Sequence, residues 1–188
     1  NKGIYIDPIF ITRIEDKNGV PIFEVIPNTT DVLSEEAAYV TLNLMEGVTN
    51  YGSGGRLRHS GLEETNYIYK NLITGYPYAF ENAIAGKTGT TQNQSDGWFM
   101  GMVPNLVTGV WVGGEDRSVH FEDIAFGQGA TMALPIWAQF MKNAYSNPDL
   151  GISAEDFQSP KVLTIPTDCE NLSIESETKK KDLEDLGF

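Results

Sequence analysis

One short run of the chain combines a cation, several hydroxyl groups and two glycines: Gly86-Lys87-Thr88-Gly89-Thr90-Thr91. Residues two apart in a β-strand lie on the same face, so the hydroxyls of Thr88 and Thr90 are placed to hydrogen-bond one carboxylate. Gly89 lets another chain approach closely, and Lys87 supplies a positive charge. If the run is an exposed edge strand, this pattern predicts a strip that holds a substrate ending in a carboxylate.

A phosphate-binding loop is the alternative interpretation of these residue types. Its motif, G-x-x-x-x-G-K-[ST], requires a glycine at position 81, where the chain has Glu81, and a carboxylate there repels phosphate. Such a loop must also open a helix, whereas residues 92–103 pass through a polar turn into a strand-like pattern. We therefore interpret the run as a substrate-binding strand.

The composition excludes several kinds of partner and site. Thirteen Lys and Arg against 26 Asp and Glu give a net charge of −13, which argues against nucleic acid or an anionic membrane as a partner. No apolar stretch approaches the roughly 20 residues that a bilayer span needs, so we expect no membrane contact by this segment. One cysteine, Cys169, and two histidines, His59 and His120, argue against a disulfide framework and a Cys-rich or His-rich metal centre.

Periodicity predicts the elements that must position the strip. Period-two patterns with short connections predict three antiparallel strands. These span about 83–91, 98–103 and 106–113. Helical spacing predicts an amphipathic helix over 37–48, with Ser34 as its N-cap, and a second helix over 133–144 that covers one face of the sheet.

Two further segments carry weaker signals. Alternating apolar residues, including Ile9 and Ile11, flank Asp16-Lys17-Asn18-Gly19 and predict a β-hairpin near the start of the chain. Within residues 56–82, a short helix over 62–72 and an aromatic-rich strand remain equal alternatives. Apolar alternation begins almost at once and there is no initiator Met, so we expect the chain to be a segment of a longer gene product.

Three motifs that follow one another in order resemble a known family. They are Ala85-Gly-Lys-Thr-Gly-Thr-Thr91, Asp96-Gly-Trp-Phe-Met-Gly101 and Thr108-Gly-Val-Trp-Val-Gly113. Together they closely resemble the C-terminal half of the transpeptidase domain of class A, bifunctional penicillin-binding proteins. The resemblance extends more softly over about residues 1–146. It implies an α+β fold of the β-lactamase/transpeptidase type, an antiparallel sheet flanked by helices, present here as a partial domain.

The resemblance also implies a reaction and its residues. In the family, the serine of an S-x-x-K motif is acylated by the penultimate D-Ala of a peptidoglycan stem peptide, and an amine of a neighbouring strand takes the acyl group. Lys87 would help to hold the active-site network, Thr88 and Thr90 would bind the terminal carboxylate, and the Thr90 N–H would be an oxyanion-hole donor. The implied catalytic residues are Lys87 and Thr90. The implied substrate-binding residues are Lys87, Thr88, Gly89, Thr90 and Thr91.

The predicted partners and boundaries follow from the same resemblance. Stem peptides and β-lactams would bind to a site that this chain forms jointly with the missing N-terminal part. No metal or organic cofactor would take part. We expect residues 1–148 to be the C-terminal part of the transpeptidase domain. Residues 149–188, which are rich in acidic side chains, are predicted to be a partly mobile tail.

The chain departs from the family pattern at the nucleophile. Neither S-x-x-K nor S-x-N precedes Lys-Thr-Gly; the one S-x-x-K, Ser176-Glu-Thr-Lys179, lies in the acidic tail, where a solvated charge run explains it better. We therefore expect the nucleophile to lie earlier in the gene product and the isolated chain to be inactive.

The full-length protein would be anchored at the periplasmic face of the bacterial inner membrane. The strand near 106–113 would leave an open sheet edge that pairs with the missing segment or with another copy.

Two other functions remain open at this point. A fragment of a β-lactamase or D,D-carboxypeptidase would share the Lys-Thr-Gly strand but pass the acyl group to water. A non-catalytic module would use the same strip to hold peptide termini without turnover. The sequence upstream of this chain distinguishes the first alternative from a transpeptidase. Labelling of the complete protein by a fluorescent penicillin distinguishes a transpeptidase from the second alternative.

Overall fold

The computed structural model describes residues 1–167. They form two compact units, one of residues 1–40 and 159–167 and the other of residues 41–158. The predicted tail contributes residues 149–158 to the second unit and 159–167 to the first. Its remainder, with Ser176 and Lys179, lies outside the described residues, and the predicted boundary at 148 stays a prediction.

The first unit contains two small antiparallel sheets. Its strands are β1 (Ile4–Ile6), β2 (Arg13–Glu15), β3 (Pro21–Glu24) and β4 (Thr29–Asp31). Strand β1 pairs with β4, and β2 pairs with β3. The Asp16 carboxylate accepts the N–H groups of Asn18 and Val20 at 2.8 and 2.9 Å and so closes the turn between β2 and β3. The predicted hairpin is confirmed, but Ile9 and Ile11 precede its first paired residue, Arg13.

Helix α1 (Glu35–Asn50) begins where the sequence predicts. The Ser34 hydroxyl accepts the N–H of Ala37 at 3.1 Å, which confirms the N-cap. A short helix, α2 (Tyr67–Asn71), lies within residues 56–82, where the sequence leaves a helix and a strand as equal alternatives. It forms there because the Asn66 side chain accepts the N–H groups of the first turn.

A three-stranded antiparallel sheet forms the centre of the second unit. Its strands are β5 (Ala85–Thr90), β6 (Asp96–Val103) and β7 (Leu106–Gly113), in that order across the sheet. The register pairs Thr88 with Phe99 and Phe99 with Val110. All three predicted strands are confirmed to within two residues at each end.

Helices cover one face of this sheet. They are α3 (Ile124–Gly127), α4 (Gly129–Met132) and α5 (Leu134–Tyr145). Trp137 of α5 is fully buried, and its ring centroid lies 5.2 Å from that of Phe99 in β6. Pro135 is tolerated because it lies in the first turn of α5. The predicted helix over 133–144 and its contact with the sheet are confirmed.

The opposite face of the sheet carries large apolar side chains that are partly exposed. Trp98 in β6 lies opposite Trp111 in β7, and both indoles are nearly half exposed. Met100 and Val107 are exposed on the same face. The antiparallel sheet with helices on one face confirms the predicted α+β class.

Candidate functional site

The Lys-Thr-Gly motif lies on an edge strand. Among residues 1–167, β5 pairs with β6 alone, so its other edge is free to pair with an extended peptide. Lys87, Thr88, Gly89 and Thr90 all belong to this strand. The interpretation of the run as a strand, rather than as a loop that opens a helix, is therefore confirmed.

The motif residues alternate between the two faces of β5. Thr88 lies opposite Phe99 and Thr90 lies opposite Gly97, so both hydroxyls are on the face that the helices cover. Lys87 and Gly89 lie on the other face. The free edge is thus bordered by one cation on one side and two hydroxyls on the other.

Both threonine hydroxyls have partners within the protein. The Thr88 hydroxyl lies 2.6 Å from the hydroxyl of Ser53, in the turn after α1. The Thr90 hydroxyl accepts the N–H of Gly129, at the start of α4, at 3.0 Å. Sequence reasoning missed Ser53, whose one sequence signal is the glycines that surround it, Gly52, Gly54 and Gly55.

The Lys87 ammonium is exposed. It donates a hydrogen bond to the carbonyl oxygen of Thr88 at 2.8 Å, which holds it close to the strand. Within residues 1–167 no carboxylate forms an ion pair with it. Its charge is therefore available to an anionic group at the edge of β5.

Thr91 belongs to the turn between β5 and β6. Its hydroxyl accepts the N–H of Asp96 at 3.0 Å and lies 3.0 Å from the hydroxyl of Ser95. The Asp96 carboxylate accepts the indole N–H of Trp111 at 3.1 Å, which links the turn to β7. Thr91 thus stabilises the turn, and its part in substrate binding stays a prediction.

A buried carboxylate, Glu64, lies beside two partly exposed side chains in the segment after the Ser53 turn. The Glu64 carboxylate, 5% exposed, accepts a hydrogen bond from the Arg56 guanidinium at 2.7 Å, and His59 lies 3.6 Å away. Burial by itself opposes ionisation of Glu64, but the N–H of Asn66 and the Arg56 guanidinium together hold the pKa of Glu64 below its usual range. This cluster anchors the segment between the Ser53 turn and α2.

Two site types are absent from the described residues. No group of three or more His, Cys, Asp or Glu side chains within residues 1–167 is arranged to hold a metal ion. Across the same residues, every helix is too short or too polar to cross a bilayer. Cys169 lies outside the described residues.

Comparison with known proteins finds similar sequences in one family. Penicillin-binding protein 1A of Aquifex aeolicus (strain VF5) is 30% identical over 179 residues, which covers 92% of this chain and 22% of that protein. Penicillin-binding protein 2D of Bacillus subtilis (strain 168) is 31% identical over 164 residues, 87% of this chain and 20% of that protein. Over most of its length, the chain is similar to penicillin-binding proteins. The resemblance read from its motifs is confirmed.

A solved structure of the family shares the fold of the chain. The crystal structure of penicillin-binding protein 1A from Haemophilus influenzae matches it with a TM-score of 0.60 at 20% identity. The match covers 86% of this chain and 26% of that one, which confirms a partial transpeptidase-like domain. No protein-family model matches the chain. The chain spans about a fifth of the length of its curated relatives.

Proposed function

We propose that this chain supplies the Lys-Thr-Gly substrate strand of a peptidoglycan DD-transpeptidase, which cross-links stem peptides through a serine acyl-enzyme. The observation that carries the proposal is the edge of β5 that no other strand of residues 1–167 occupies, bordered by the exposed Lys87 ammonium and by the hydroxyls of Thr88 and Thr90. The nucleophile and its lysine partner lie in a part of the protein outside this chain.

The chemistry of the edge fits a peptide that ends in a carboxylate. An extended stem peptide adds to β5 through backbone hydrogen bonds, and Gly89 leaves room for its approach. The Thr88 and Thr90 hydroxyls donate to the terminal carboxylate, and Lys87 attracts it electrostatically. A β-lactam, whose carboxylate takes the same place, binds in the same way.

Acyl transfer requires stabilisation of a developing oxyanion. The N–H of Thr90 supplies one donor, and the second comes from the nucleophile. A donor of this kind is worth about 10²–10³ in rate in other acyl-transfer enzymes. Lys87 maintains the hydrogen-bonded network around the nucleophile, and neither a metal nor an organic cofactor takes part.

The location of the full-length protein follows from its substrate. Peptidoglycan is assembled outside the cytoplasm, so the protein acts at the periplasmic face of the inner membrane, anchored by a segment that precedes this chain. The names of the matched relatives support a penicillin-binding protein over a β-lactamase.

Labelling by a fluorescent penicillin tests the proposal. We expect the full-length protein to be labelled on a serine outside residues 1–188 and the isolated chain to remain unlabelled. Lys87→Ala should slow labelling of the full-length protein by at least about tenfold, because it removes the charge that attracts the carboxylate. Lys17→Ala, which removes an exposed cation from the hairpin turn, serves as the matched control and should not change the rate.

Three results would contradict the proposal. Robust labelling of any residue of the isolated chain would refute the placement of the nucleophile. A full-length protein that binds stem peptides but is never labelled would be a non-catalytic binding module. Transfer of the acyl group to water alone, measured by product analysis with an amine acceptor present, would indicate a carboxypeptidase or β-lactamase.

A further inference from the structure

One hydroxyl outside the Lys-Thr-Gly motif lies directly against it. The Ser53 Oγ is 2.6 Å from the Thr88 Oγ1, a distance within the normal range for a hydrogen bond between hydroxyl groups. Ser53 is exposed and Thr88 is half-buried, so the pair lies at the protein surface beside the free edge of β5. Either hydroxyl can be the donor.

The end of α1 holds Ser53 in this place. The fully buried Thr49 donates a hydrogen bond to the Ile84 carbonyl at 2.5 Å, immediately before β5. The N–H of Gly54 donates to the Val48 carbonyl at 2.9 Å and folds the turn back onto the helix. A Cβ at Gly86 would lie 3.4 Å from the Thr49 methyl, so the helix end packs closely on the strand.

Arg58 fixes the other end of the same turn. Its guanidinium donates to the carbonyl oxygens of Phe80 at 3.1 Å and Asn82 at 2.5 Å, in the segment that leads into β5. It also donates to the Thr49 hydroxyl at 3.2 Å and the Asn50 side chain at 3.0 Å. Both ends of the turn are thus joined to the segment that enters β5, and the contact of Ser53 with Thr88 follows from this frame.

We propose that Ser53 is a positioning residue for Thr88. Ser53 donates its hydrogen to the Thr88 oxygen, which leaves the single hydrogen of Thr88 free to be donated to the substrate carboxylate. This inference rests on the proposed function, in which Thr88 binds that carboxylate. The opposite orientation would turn the lone pairs of Thr88 towards an anion, so an anionic substrate selects the first. Successive hydrogen bonds of this kind strengthen one another.

The test compares a penicillin that carries its free carboxylate with the methyl ester of the same compound. Acylation rates are measured on the full-length protein. Ser53→Ala should slow acylation by the carboxylate about tenfold and change the rate with the ester less than twofold. Ser53→Thr, which keeps the hydroxyl, should restore most of the rate. Ser146→Ala, which removes an exposed hydroxyl at the end of α5, is the matched control and should leave both rates unchanged.

Two results would overturn the role of Ser53. An equal loss of rate with both compounds would show a structural effect only, and an unchanged rate with the carboxylate would show no role at all. The double variant Ser53→Ala/Thr88→Val should be no slower than Thr88→Val alone, because the two hydroxyls act as one unit.

The Thr88→Val variant separates this inference from the proposed function. If Thr88→Val slows acylation and Ser53→Ala does not, the inference fails and the proposed function stands. If Thr88→Val leaves the rate with the carboxylate unchanged, or if the unaltered protein is not acylated, the proposed function fails and the role of Ser53 fails with it.

Discussion

Gly101 shows how closely single residues of the second unit are packed. A Cβ at this position would lie 2.4 Å from the indole ring of Trp137, which is fully buried. The strand accepts the indole only because glycine has no side chain there. Large aromatic residues in a core cannot move to admit an added methyl group without strain elsewhere.

We expect Gly101→Ala to destabilise the protein by about 1–3 kcal/mol, the usual cost of overpacking a core. Gly47→Ala is the matched control, because a Cβ at Gly47 meets nothing within 4 Å inside α1. This control should stabilise the protein by about 0.5–1 kcal/mol, since alanine favours a helix over glycine. Urea unfolding of both variants measures the difference. Equal stability of the two variants would contradict the packing described here.

At the scale of elements, one ion pair with a buried carboxylate helps to hold the segment between the Ser53 turn and α2. Glu64 accepts hydrogen bonds from the Arg56 guanidinium and, through its other oxygen, from the N–H of Asn66 at 2.7 Å. The Arg56 guanidinium also lies 4.2 Å from the centre of the Tyr69 ring. Burial without these partners would favour the neutral acid, so the segment is stabilised by Glu64 only while its carboxylate is ionised.

The pH dependence of stability follows from the direction of this pKa shift. The pKa of Glu64 is lower in the folded protein than its ordinary value of 4.5, so its contribution is complete above that pH and is lost as the pH falls towards the folded value. Glu64→Gln should therefore be less stable than the unaltered protein at pH 7 and should lose less stability on acidification. Chemical unfolding between pH 7 and pH 3 measures both effects, and parallel stability curves would contradict the prediction.

At the scale of the whole molecule, the sheet is open at two edges within residues 1–167. The edge of β5 is the proposed peptide site, and the edge of β7 has no partner in the described part of the chain. The half-exposed indoles of Trp98 and Trp111 lie on the adjoining sheet face. Unpaired strands with neighbouring apolar side chains favour association with a further strand.

We expect the isolated chain to self-associate through β7. In the full-length protein, we expect a segment outside this chain to pair with the same edge. Val107→Lys places a charge on this strand and should shift the isolated chain towards monomer, as measured by size-exclusion chromatography over a range of concentrations. Lys17→Glu, in the hairpin turn, should not. A stable monomer of the unaltered chain, with slow amide exchange near Val110, would contradict the expectation.

The sequence by itself determined the three strands of the central sheet, helices α1 and α5, the hairpin of β2 and β3, and the faces of the sheet strands. Thr88 and Thr90 could be assigned to one face because side chains alternate with a period of two along any strand. Ser34 could be recognised as a helix cap, and Asp16 to Gly19 as a hairpin turn, because those signals act over a few neighbouring residues. The motif run from 85 to 113 likewise sufficed to recognise the family.

Only the tertiary structure decided which distant residues meet. Ser53 reaches Thr88 across 35 positions, and Thr90 accepts the N–H of Gly129 across 39. Neither contact follows from local spacing, because each depends on how the end of α1 and the start of α4 pack against β5. Local patterns determine where an element begins and which face it presents, whereas packing between elements determines what that face touches.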